Sequence, residues 1–86
     1  MPKLPVLSGK VVIKKLEKCG YVVVRQKGSH VRLRHNNSGF KSITVPLHKI
    51  IKVGLLHQIL KDANLSIEKF IDLIEGIFYK FNKISR

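Results

Sequence analysis

Hydrophobic and polar positions change period several times along the chain, and each change marks an element. Val12, Ile13, Leu16 and Cys19 recur at helical spacing and leave Lys10, Lys14, Lys15 and Lys18 mostly outward. Ser8 can cap this helix, Gly9-Lys10-Val11 forms its first turn, and Gly20 stops it in a left-handed conformation. A helix is expected over about residues 8–19. Tyr21 to Arg25 is rich in β-branched residues and predicts a strand. His30 to His35 alternates His-Val-Arg-Leu-Arg-His, a period-two strand.

A two-residue turn at Lys27-Gly28 would close a hairpin, with Gly28 at positive φ. That register pairs Arg25 with His30, Val24 with Val31, Val23 with Arg32 and Val22 with Leu33. Val22, Val24, Val31 and Leu33 then share an apolar face. Tyr21, Val23, Arg25, His30, Arg32 and Arg34 share the other. Asn36 to Gly39 is a turn cluster. Lys41 to Val45 predicts a third strand with Ile43 and Val45 inward and Ser42 and Thr44 outward, ended by Pro46.

Leu47 to Lys52 is a connector, and a helix from about Gly54 carries Leu55, Leu56, Ile59 and Leu60 and ends near Asn64. Ser66 can cap a last helix, in which Ile67, Phe70, Ile71, Ile74, Ile77, Phe78 and Phe81 follow helical spacing. The order predicts an α+β fold: a three-stranded antiparallel sheet, helices on one face, and an extra C-terminal helix. The open face would carry the arginines and His30. Eighty-six residues have room for one core, so residues 1–86 are expected to form one domain. Its core would span about 8–65, with a helical extension over about 66–84.

Charge sharpens this picture. The first 61 residues hold 13 Lys and Arg and a single acid, Glu17, and so carry the whole net charge of +12. The remaining residues hold four of each sign and are neutral. Such a domain is expected to attract a polyanion, nucleic acid being the commonest; the bland alternative is a solvated basic surface. A membrane partner is not expected. No apolar stretch approaches the ~18 residues that span a bilayer. The opening Met1-Pro2-Lys3-Leu4-Pro5 lacks the apolar core of a signal peptide. The one cysteine, Cys19, allows no internal disulfide and suits a reducing compartment. A cytoplasmic setting is expected.

His30 carries the sharpest chemical hypothesis. It follows a hairpin glycine on the open strand face, beside Arg25, Arg32 and Arg34. Histidine is suited to moving protons near neutral pH. RNA supplies its own nucleophile, the ribose 2′-hydroxyl. A base to deprotonate it and cations to stabilise the phosphorane would suffice for cleavage without metal. The alternative is that His30 only lines a basic patch. His35 falls on the opposite face of a continuous strand, His48 lies in the connector, and His57 is read as structural. One Cys and four scattered His show no zinc spacing, so neither a metal nor another cofactor is expected. Glu68 and Asp72 read as a solvated helix face, and Cys19 as a small core residue.

The ordered set Leu16-Glu17-Lys18-Cys19-Gly20-Tyr21, Arg25-Gln26-Lys27-Gly28-Ser29-His30, Thr44-Val45-Pro46-Leu47-His48 and Gly54-Leu55-Leu56-His57-Gln58-Ile59-Leu60-Lys61 resembles the HicA toxin family. These are small mRNA interferases of prokaryotic type II toxin–antitoxin systems. The resemblance covers about residues 8–72. It implies a double-stranded-RNA-binding-domain-like α-β-β-β-α fold and an essential histidine, here His30. It also implies a HicB antitoxin that covers the active site and joins the toxin in regulating their operon.

The chain departs from the family in two places. Gly54-Leu55-Leu56 stands where members often have Gly-Thr-Leu, which loses a capping hydroxyl. Residues beyond about 72 extend past the usual core, and their apolar stripe of Ile74, Ile77, Phe78 and Phe81 would pack on the domain or meet an antitoxin or a second copy.

The expectation is a metal-independent endoribonuclease that cuts mRNA and blocks translation, with His30 as general base. Arg25, Lys27 and Arg32 would hold the phosphate, Gly28, Ser29 and Arg34 would add RNA contacts, and His48, a lysine or water would protonate the leaving oxygen. The rivals are a non-catalytic RNA-binding module and an inactive partner in a larger complex.

Overall fold

The computed structural model describes residue 4 and residues 6–73. The elements are α1 (Gly9–Lys18), β1 (Tyr21–Lys27), β2 (His30–His35), β3 (Ile43–Pro46) and α2 (Val53–Asp62). A further helical stretch, α3, runs over 67–73. The stripe expected at Ile74, Ile77, Phe78 and Phe81 lies outside the described residues. The three strands form one antiparallel sheet in the order β1-β2-β3. Both α1 and α2 pack on it, and the α+β order is the one the resemblance implies. Among the described residues, no helix is long and apolar enough to cross a membrane.

Local chemistry sets the helix ends. The Ser8 side chain accepts a hydrogen bond from the Val11 N–H at 3.3 Å and caps α1. The Ser66 hydroxyl does the same for the Lys69 N–H at 3.1 Å. At the start of α2, one residue earlier than expected, Lys52 occupies the cap and contributes no side-chain bond. The end of α2 closes with Asn64 at φ 56°. The Leu65 N–H returns to the Leu60 carbonyl and the Asn64 N–H to that of Lys61, which satisfies carbonyls the helix leaves open.

The core joins Val12 and Leu16 of α1, Leu33 and Val45 of the sheet, Leu56 and Ile59 of α2, and Phe70 of α3. Gly9 is where α1 meets β3. A Cβ there would collide with the Pro46 carbonyl oxygen, and the Gly9 N–H donates to the His48 carbonyl at 2.9 Å. Gly9→Ala is therefore expected to cost about 1–3 kcal/mol, since backbone cannot move aside as a flexible side chain would. A thermal melt would read this as a lowered Tm.

The hairpin departs from the expected register, and the difference shapes the site. The two turn residues are Gly28 and Ser29, with Lys27 opposite His30, Gln26 opposite Val31 and Arg25 opposite Arg32. A tight hairpin turn needs positive φ at its first position. Gly28 supplies it at 59°, whereas a turn at Lys27-Gly28 would impose it on Lys27. Farther along, Val24 is an extra residue in β1, and beyond it Val23 faces Leu33, Val22 faces Arg34 and Tyr21 faces His35.

This bulge reverses the side-chain parity of β1. Tyr21 is buried, 2% exposed, and its hydroxyl donates to the Lys41 carbonyl at 2.8 Å. Val22 and Val24 are exposed, contrary to the expected apolar face. The driving cause is Tyr21, whose ring meets His35 and Phe40 edge-on. In a regular strand an inward Tyr21 would also turn Arg25 inward.

Candidate functional site

β2 keeps strict alternation. Val31 and Leu33 are buried, while His30, Arg32 and Arg34 are exposed. Residues opposite one another across antiparallel strands share a face. Arg25 and Lys27 of β1 therefore join His30 and Arg32 of β2 and Thr44 of β3 on the open side. These five residues line a shallow, open cleft of about 280 Å³.

The cleft's edges are fixed by hydrogen bonds. Arg32 Nη1 donates to Thr44 Oγ1 at 3.0 Å, which orients the guanidinium. The Ser29 carbonyl accepts from the Leu47 N–H at 2.6 Å, which ties the hairpin tip to the end of β3. Gln26 Nε2 donates across the turn to the Gly28 carbonyl at 3.2 Å. The tip that carries His30 is thereby held from two sides.

Of the expected site residues, Arg25, Lys27, His30 and Arg32 come together. Gly28 and Ser29 form the turn beside them. Arg34 shares the face but lies farther along β2, opposite Val22, and does not line the cleft. His48, considered as a leaving-group acid, is an exposed connector residue outside the lining. Thr44 is the residue sequence reasoning missed. Its outward position on β3 was legible, but its pairing with Arg32 was not.

The other histidines have different surroundings. His35 sits on the inner side with both nitrogens committed. Nδ1 accepts from the Asn37 N–H and Nε2 meets the Cys19 carbonyl, each at 2.9 Å. A carbonyl only accepts, so the ring is the Nε2–H tautomer. It stacks on Phe40 with centroids 4.1 Å apart. His57 is exposed on α2 rather than packed into the core. Burial pushes the Cys19 thiol up from its ordinary value, with the Lys69 charge opposing. A thiol shifted that way is a poor nucleophile. Among the described residues, no group of three or more His, Cys, Asp or Glu is arranged to hold a metal ion.

The electrostatics are one-sided. Arg25 lies directly opposite Arg32, and Lys27 opposite His30. The single acid of the first 61 residues, Glu17, is on α1. Like charges directly opposite destabilise a sheet. An anion seated between them would relieve that repulsion.

Fold and site together define a small basic α+β protein with a cationic, histidine-bearing cleft on the open face of its sheet. A family model for the HicA toxin of bacterial toxin–antitoxin systems matches residues 9–65, and the chain belongs to that family. It is a toxin of a toxin–antitoxin system, with an antitoxin as its partner. Searches of curated proteins and of solved structures returned no match.

Proposed function

We propose that the protein is an mRNA interferase, a metal-independent endoribonuclease that cuts messenger RNA in the cytoplasm and so blocks translation. The observation that carries this reading is the cluster of Arg25, Lys27 and Arg32 around His30 in an open cleft that no acid lines among the described residues. A phosphodiester is the anion that fits such a place, and the family supplies the biological context.

In the proposed step, His30 takes the proton from a ribose 2′-hydroxyl. The 2′-oxygen attacks the adjacent phosphorus, and the bond from phosphorus to the 5′-oxygen breaks. The products are a 2′,3′-cyclic phosphate and a 5′-hydroxyl, the latter protonated by water. Arg25, Lys27 and Arg32 hold the phosphoryl oxygens as charge builds on them. Gly28, Ser29 and Arg34 border the strand on either side. The partner is a HicB-like antitoxin that covers this face.

The test is incubation of single-stranded RNA with the purified chain in EDTA, with the product ends analysed. Cyclic phosphate ends are expected. Salt-sensitive binding without cleavage would instead favour a non-catalytic RNA-binding module. An Arg25→Gln, Arg32→Gln chain is expected to lose at least tenfold in RNA affinity while its Tm holds or rises, because the cross-strand repulsion goes with the charges.

A further inference from the structure

We propose that the solvent face of α1 is a second RNA-binding surface, on which Lys10, Lys14 and Lys18 contact the phosphates of a strand. This inference rests on RNA being the substrate.

The three lysines are all exposed and four residues apart. At 3.6 residues per turn they lie within an arc of about 80° and span about 12 Å along the axis. Gly9, Val12, Ile13 and Leu16 are buried on the opposite side of the helix. That buried side packs on the inner face of the sheet, against β1 and β3. The lysine ridge therefore points away from the layer that carries His30, and is separate from the cleft.

The helix dipole favours Lys18 in the last turn, but the rest of the row works against the helix. Like charges four apart on a helix destabilise it by a few tenths of a kcal/mol per pair. Lys10 stands in the first turn, where the helix dipole disfavours a cation, and no acid accompanies it there. Glu17 sits at the margin of the ridge. Partial burial, then the charges of Lys18 and Lys14, lower the Lys15 ammonium from its ordinary value, and no acid opposes them.

A polyanion offsets this repulsion. A lipid surface is a poor match, because the apolar side of α1 is already buried in the core and cannot insert. A single file of flexible point charges suits the backbone of one strand, where binding is indifferent to sequence.

The test uses the full chain carrying His30→Ala, so that RNA is bound but not cut. Anisotropy of a labelled single-stranded RNA is measured across a KCl series. One variant adds K10Q, K14Q and K18Q. A control adds K41Q, K49Q and K61Q, three exposed lysines elsewhere, so the loss of net charge is equal. The ridge variant is expected to bind at least tenfold more weakly at low salt. Its log–log salt slope should fall by about 2, at ~0.7 for each phosphate no longer neutralised. The control should change affinity less than threefold.

Equal losses in the two variants would overturn the proposal, since only net charge would then matter. Unchanged RNA binding in the ridge variant would overturn it as well. If the His30→Ala parent binds no RNA at all, both this inference and the ribonuclease reading fall.

Discussion

His30→Ala is expected to lower RNA cleavage by about 10²–10⁴-fold, the usual worth of a positioned acid–base group. It should leave the fold untouched. His30 is exposed at the first position of β2, and surface changes of this kind usually stay within about 0.5 kcal/mol. RNA affinity should hold within about threefold, because Arg25, Lys27 and Arg32 remain to bind phosphate. This combination separates two roles. A base is needed only in the transition state, so its removal lowers turnover and spares binding. A residue that merely adds to a basic patch would weaken binding and have no cleavage to lose. Partial rescue of the variant by added imidazole would assign the missing function to the ring. A His30→Ala chain that cuts RNA at the original rate would remove His30 from the mechanism.

The legibility of this site in the sequence followed the alternation of each strand. β2 alternates charged and apolar residues, so the outward placement of His30, Arg32 and Arg34 could be read directly. β1 begins Tyr-Val-Val-Val, and four consecutive apolar residues carry no parity. The bulge at Val24 is therefore invisible in the pattern, and it puts Tyr21 and Val22 on the faces opposite to those the pattern predicts. The turn falls one residue later than the pattern predicts, with Gly28 at the expected positive φ. Bonds that tie distant segments of the fold together are tertiary as well. The Ser29 carbonyl meets Leu47 eighteen residues on, and the Leu7 carbonyl accepts from the Ile51 N–H at 2.7 Å. No local pattern announces bonds of that kind. The caps at Ser8 and Ser66, by contrast, act within three residues, and both stand where the sequence put them.

Among the described residues, Phe70→Ala is expected to be the most destabilising truncation of a buried side chain. Phe70 is 0% exposed and heads the fully buried side chains by volume. It lies in α3, beyond the residues 9–65 that the family model matches. Emptying a buried phenylalanine site costs about 3–5 kcal/mol. At roughly 0.05–0.15 kcal/mol per residue, a chain of this length has about 4–13 kcal/mol in all, so the loss is a large share of it. Phe70→Leu keeps much of the volume and should cost less than about 1.5 kcal/mol if the site repacks. Circular dichroism melts of the two variants would show the difference. Phe70→Ala should lose activity as His30→Ala does, but through a collapsed Tm rather than a missing proton acceptor. If Phe70→Ala instead melts with the wild type, α3 is an appendage, and the core is complete within the segment shared with the family.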